Sequence, residues 1–226
     1  MIMKIEEIYK SKLIELLSEQ DYEVRESESG YVAVKNYLLG ERLIFFEVSK
    51  KTKSEFRVRI SLSITNLPVR RIHCLVNERI ANSPIITYPM SFLSKKLNKV
   101  NENFEMQKYN GILGSVVSEE ALPQYILNLR SCLRELILPF FEKFEDQAAF
   151  YNWLVKPVLD GRYNFDSEPV WKDALSSLII AKLVGSGRME ELYQKWLELE
   201  LPKGPGFDTR EEVIKLKDIL DKEVNG

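Results

Sequence analysis

The sequence predicts an α+β fold: an N-terminal helix packed on an antiparallel sheet of four to six strands, followed by a helical C-terminal half. Three observations carry this. Phe56, Val58, Ile60, Leu62 and Ile64 alternate with Arg57, Arg59, Ser61, Ser63 and Thr65. Period-two alternation specifies a strand with one face in a core and the other toward water. Ile5, Ile8, Tyr9, Leu13, Leu16 and Leu17 recur at helical spacing and form one apolar stripe. From Ser118 onward the apolar spacing is helical and stays so.

The elements follow in order. Asp21 and the polar residues after it close the first helix. Residues 22–26, 31–39, 42–48 and 55–65 read as strands, with Gly30, Gly40 and the 49–54 turn between neighbours. Turns this short favour antiparallel pairing, because a parallel pair needs a crossover of about a dozen residues. Asn66, Leu67 and Pro68 end the diagnostic strand. Across 69–117, Pro68, Pro84 and Pro89 break any long element. Ile72, Leu75, Val76 and Ile80 fit a short helix there, and residues 112–117 a last strand.

Ser118 reads as an N-cap, with Glu119 and Glu120 at the positive end of a helix. Ile126, Leu129, Leu133, Leu136, Ile137 and Phe140 keep one face apolar, and Pro139 is expected to end or kink this helix near Leu138. A helix over 147–155 follows, and Ser167 with Pro169 opens another that runs to Gly185. Met189, Leu192, Tyr193, Trp196 and Leu197 line a further short helix. Lys203-Gly204-Pro205-Gly206 reads as a linker. Asp208 and Glu211 make a capping-box-like start to the final helix, lined by Val213, Leu216, Ile219 and Leu220. The expected domains are a helix-plus-sheet domain over 1–145 and a helical extension over 146–226 packed on it.

Composition excludes several classes. With 226 residues, 45% hydrophobic and 29% charged, the chain can bury a sizeable core and has no disorder signature. Cys74 and Cys132 lie in apolar surroundings and read as buried free thiols. The first helix carries Glu6, Glu7, Glu15 and Glu19 and lacks the pattern of a signal peptide. The best membrane candidate, residues 133–141, is interrupted by Arg134, Glu135 and Pro139, and falls short of the ~18–20 apolar residues a span needs. A cytoplasmic protein with no membrane association is expected.

Charge is unevenly distributed. Residues 42–99 hold twelve Lys and Arg against three Glu, while 100–226 hold fifteen basic and twenty-two acidic residues. Lys50, Lys51 and Lys53 fall on a turn, Arg57 and Arg59 on the polar strand face, and Arg70 and Arg71 after the next turn. Such a cluster attracts phosphates by displacing counterions, and Tyr31 or Phe45 offers rings for base stacking. Against nucleic-acid binding stands the overall pI of about 5.7.

Catalytic patterns are weak. His73 is the only histidine and stands beside Cys74, but adjacent residues diverge by about 100° on a helix and point oppositely on a strand. Two such ligands alone do not complete a zinc site. Glu47 and Lys50 vaguely resemble the acid-plus-lysine strand of restriction-like nucleases, yet they stand three apart, on opposite faces of an ideal strand. No Gly-rich phosphate loop, Gly-x-Ser-x-Gly elbow or His-Glu-x-x-His helix is present. No cofactor is expected.

Trp153, Trp171 and Trp196 occupy the helical half and read mainly as core. The 161–166 loop is the exception: Arg162, Tyr163 and Phe165 on a loop between helices form a candidate binding segment.

The N-terminal helix, the alternating strand 55–65, and Ser118-Glu119-Glu120 leading to Ile137-Leu138-Pro139-Phe140-Phe141-Glu142-Lys143-Phe144 resemble uncharacterised bacterial domains of unknown function. The resemblance covers about residues 3–150, and some proteins of that general shape are immunity proteins of polymorphic toxins. It implies a non-enzymatic bacterial protein that sequesters a partner. The expected function is therefore a protein-binding module. Nucleic-acid binding through the basic strand face and metal-dependent hydrolysis centred on Glu47 are the alternatives.

Overall fold

A computed structural model describes residues 5–52, 54–76, 84, 86–89, 116–163, 170–199, 201, 203–204 and 207–222. It has the expected class: an N-terminal helix, an antiparallel sheet and a helical C-terminal half. Contacts cluster into two compact units, residues 1–64 with 86–142 and residues 65–85 with 143–226.

The first unit opens with α1 (Ile5–Ser18), whose stripe of Ile5, Tyr9, Leu13, Leu16 and Leu17 is buried. The helix closes on Asp21, which adopts φ 60°. Tyr22 N–H then reaches back to the Leu17 carbonyl at 3.1 Å and Asp21 N–H to Ser18 at 3.1 Å. This is a Schellman closure with an aspartate where glycine is usual. Strands β1 (Glu23–Ser27), β2 (Gly30–Tyr37), β3 (Gly40–Lys50) and β4 (Glu55–Ile64) form a meander. Two short strands pair with β4: β5 (Ile86–Pro89) along its end and β6 (Val116–Ser118) along its beginning. Gly30 is required at its position. Its φ is +148°, and a Cβ there would lie 2.1 Å from the Phe46 carbonyl oxygen.

Phe56, Val58, Ile60, Leu62 and Ile64 are all buried, as the alternation predicts. Their face of the sheet carries α1 and α3 (Leu122–Cys132). Tyr9 joins the three, its ring lying 5.1 Å from Phe56, 6.1 Å from Tyr31 and 6.1 Å from Tyr125. Ser118 accepts from Ala121 N–H at 3.2 Å, but from the end of β6, one turn before α3 begins.

Pro139 does not end the helix. A π-helical segment, Leu133–Ile137, precedes α4 (Leu138–Glu142), and Leu138 N–H reaches five residues back to the Leu133 carbonyl. The wider turn gives the proline ring room where an α-helical turn would clash. The same device recurs in the second unit. There α5 (Gln147–Phe150) passes through a π-helical segment, Tyr151–Val155, into α6 (Lys156–Leu159), and Pro157 is again the second residue after the wide turn.

The second unit begins with α2 (Leu67–Val76). Asn66 accepts from Val69 N–H at 3.3 Å as its cap, and its amide exchanges two 3.2 Å hydrogen bonds with Gln147. At the other end of α2, Lys215 Nζ donates to the Val76 carbonyl at 2.7 Å. The centre of the unit is α7 (Val170–Leu183), where every residue from Lys172 to Ala181 is buried. Gly185, at φ +65°, closes this helix with Ser186 N–H on the Ala181 carbonyl at 2.9 Å. α8 (Met189–Glu198) and α9 (Thr209–Lys222) pack on it. The expected linker contains pairing instead: β7 (Lys203–Gly204) and β8 (Phe207–Asp208) lie antiparallel. Asp208 caps α9, accepting from Arg210 N–H at 2.9 Å.

Both cysteines are free, but only Cys132 is buried; Cys74 is exposed. The apolar neighbours of Cys74 in sequence lie elsewhere around α2, which turns His73 inward and the adjacent thiol outward.

Candidate functional site

The register of the sheet assigns each side chain of the first unit to a face, because directly paired residues point the same way. On the outer face, Val32 pairs with Phe45 and Phe45 with Ser61; Val34 pairs with Leu43 and Leu43 with Ser63. Val32, Leu43 and Phe45 are half-buried and make an apolar strip across β2 and β3. Charges of both signs border it. Glu23 and Arg25 stand opposite Val34 and Val32, and Glu47 stands opposite Arg59.

The predicted basic residues do not gather on this face. Arg57 and Arg59 belong to it, with Arg59 exposed and Arg57 half-buried. Lys50 pairs with Phe56 and so falls on the opposite face, at its edge. Lys51 is exposed in the following turn, where its N–H bonds to the Glu55 carbonyl at 3.0 Å. Lys53 lies outside the described residues. Arg70 and Arg71 are on α2, in the other compact unit. Two further cations, Lys35 and Arg42, are paired with each other in register on the helix-covered face. Lys35 donates to the Gln20 carbonyl at 2.9 Å, and the Arg42 guanidinium lies 5.0 Å from the Tyr37 ring centroid.

The outer face is therefore mixed in charge. Glu23, Glu41, Glu47 and Glu55 share it with Arg25, Arg57 and Arg59 by register. Arg25 is held by the Glu23 carboxylate through two hydrogen bonds of 2.9 and 2.7 Å. Arg57 differs, since its Nε is buried without a hydrogen-bond partner. Glu47 is exposed on this face, opposite in direction to Lys50, as the ideal-strand argument requires. Among the described residues no group of three or more His, Cys, Asp or Glu side chains is placed to hold a metal ion.

The predicted binding loop divides as well. Arg162 is exposed and donates to the neighbouring Asp160 carboxylate at 2.5 Å. Tyr163 turns inward, its hydroxyl donating to Asp173 Oδ2 at 2.7 Å and its ring lying edge-on to Trp196 at 5.2 Å. Phe165 lies outside the described residues. Trp196 is fully buried, with Nε1 donating to Ser177 Oγ at 2.9 Å.

Sequence reasoning missed a polar cluster around α7. Lys172, Asp173, Ser176 and Ser177 are all buried on this helix, and His73 is buried on α2, which packs against it. Burial, with the Lys172 charge as a second cause, lowers the His73 pKa to about 4. Burial likewise lowers the Lys172 pKa to about 8, against a smaller opposing effect of Asp173. Elsewhere, burial pushes the Cys132 thiol up to about 12, so this sulfur stays protonated and inert.

Comparison with protein-family models, with curated proteins and with solved structures finds no match to the chain. No helix among the described residues is long and apolar enough to cross a membrane.

Proposed function

We propose that the protein is a non-enzymatic binding module that captures a protein partner on the outer face of its sheet, in the manner of a sequestering immunity protein. The observation that carries this reading is the half-buried strip of Val32, Leu43 and Phe45, bordered by charges of both signs. An apolar centre with a polar rim is the anatomy of a protein interface. Arg57 adds a half-buried cation to the same face, beside the exposed Arg59.

The same geometry weighs against nucleic acid. A polyanion site needs cations aligned on one surface, whereas four glutamates interrupt the three arginines of this face.

The test is capture by the tagged full chain from its native lysate at low and moderate salt, with a parallel nuclease-treated arm. A partner retained after nuclease, and lost when Arg57 is changed to Gln, supports the module reading. Recovery of nucleic acid that disappears with salt overturns it.

A further inference from the structure

The sheet of the first unit ends in an open edge. Among the described residues, β1 pairs with β2 alone, and four of its five residues are exposed. Ser27 and Gly30 flank a two-residue turn, so the backbone N–H and C=O groups of Glu23, Arg25 and Ser27 point to β2. Those of Val24 and Glu26 therefore point outward, where an unpaired strand is a template for another chain. Register places the side chains as well. Glu23 and Arg25 lie on the outer face, opposite Val34 and Val32. Val24 lies half-buried on the helix-covered face, opposite Ala33.

Charge commonly guards such an edge, but the charges of this one complement a second copy in a single register. An antiparallel copy must match edge-facing groups with edge-facing groups, so the two-fold axis passes through one residue of the strand. Through Glu23, Arg25 or Glu26 it would set a charge against its own like, and through Ser27 it would set Glu26 against Glu28. Through Val24 it sets Glu23 opposite Arg25 of the copy, Arg25 opposite Glu23 of the copy, and Val24 opposite Val24. The helix above the edge supports the same axis. Lys10 on α1 makes an ion pair with Glu26, and Ile14 stands one turn further along on the same side of the helix. α1 and β1 run antiparallel, joined by the tight closure at Asp21. Four helical residues advance about 6 Å and two strand residues about 6.6 Å, which brings Ile14 level with Val24. Ile14 is 39% exposed, a large apolar side chain set beside the axis.

We infer that the chain forms a homodimer by antiparallel pairing of β1 with β1 of a second copy, about an axis at Val24. The two sheets join into one. Glu23 and Arg25, which hold each other within the exposed strand, are shared between the copies on the outer face. Val24 and Ile14 of both copies meet on the helix side. A five-residue edge is a small contact beside a standard interface, so the association depends on concentration. It involves neither Phe45 nor the apolar strip, and is independent of the capture of a different protein.

Sedimentation equilibrium of the full chain, from micromolar to submillimolar concentration, tests this. The expected mass rises from 26.4 kDa toward twice that value. Glu23→Arg and Arg25→Glu each set like charges opposite one another across the axis, and each should weaken association at least about tenfold. An equimolar mixture of these two variants brings opposite charges together again and should associate as tightly as the native chain. Ile14→Asp should weaken association as well. A monomer at every concentration overturns the inference and leaves the edge to a strand of a different protein. A dimer that survives both reversals overturns it too, since the contact then lies elsewhere, and so does a mixture no tighter than its components. Should a single reversal fail to fold, the double reversal Glu23→Arg/Arg25→Glu decides: it keeps the internal pair, and a native-like dimer supports the axis while a monomer refutes it.

Discussion

His73 should make the stability of this protein fall as pH drops through the weakly acidic range. Its imidazole is 1% exposed, and burial together with the Lys172 charge lowers its pKa from 6.5 to about 4. In the unfolded chain the same group takes up its proton near 6.5. Between these values the unfolded state binds more protons, so stability rises with pH there. The contribution is complete above the unfolded value and is lost as pH falls from about 6.5 toward 4. At 1.36 kcal/mol per pH unit, the whole interval corresponds to about 3 kcal/mol, and acidification to about pH 5 already removes about 2 kcal/mol. Urea unfolding of the native chain and of His73→Leu, each at about pH 7.5 and about pH 5, isolates this effect from the carboxylates common to both. The native protein should lose about 2 kcal/mol more than the variant on acidification. Parallel losses in the two proteins would refute the reasoning, and so would a histidine resonance that titrates near 6.5.

Other substitutions test separate parts of the fold. Gly30→Ala places a Cβ 2.1 Å from the Phe46 carbonyl oxygen at a φ of +148°, and should cost more than about 3 kcal/mol in chemical unfolding. Trp196→Phe removes the 2.9 Å donation to Ser177 while keeping most of the ring volume, and a loss of about 1–2 kcal/mol is expected from the same assay. Asp208→Ala removes the cap that receives Arg210 N–H at 2.9 Å; helix capping energetics predict a loss of about 1 kcal/mol. A change in Asp208→Ala below the resolution of a denaturation curve would show that the β7–β8 pairing, rather than the cap, fixes the start of α9.

The parts of this protein governed by local pattern were legible in its sequence. Alternation from Phe56 to Ile64 marks a strand with one buried face because a side-chain period of two leaves no other assignment. Short turns at Gly30 and Gly40 make the meander antiparallel, and the 3.6-residue stripe of α1 supplies the layer that covers it. Pro139 marks the interruption expected near Leu138, but local rules do not say that the chain accommodates the proline with a π-helical segment and carries the helix on. The basic face misled for a different reason. Summed charge over a segment carries no register, and pairing Lys50 with Phe56 sends this lysine to the other side of the sheet from Arg57 and Arg59. Lys172, Asp173 and Ser176 carry no sequence signal of burial. Tertiary contact with the π-helical segment Tyr151–Val155 and with α2, α5, α8 and α9 makes α7 a buried element. His73 shows the same limit: its adjacency to Cys74 argues against a dyad, and the structure turns the two apart, yet nothing in the sequence says that the imidazole is the side that is buried.

The outer-face account is tested most directly by comparing capture of a protein partner by the native chain, by Phe45→Asp and by Lys50→Glu. Phe45 stands in the apolar strip, and Lys50 falls on the opposite face at the end of the same strand. The account predicts that Phe45→Asp abolishes capture while Lys50→Glu leaves it intact. Capture that survives Phe45→Asp but is lost in Lys50→Glu would contradict it.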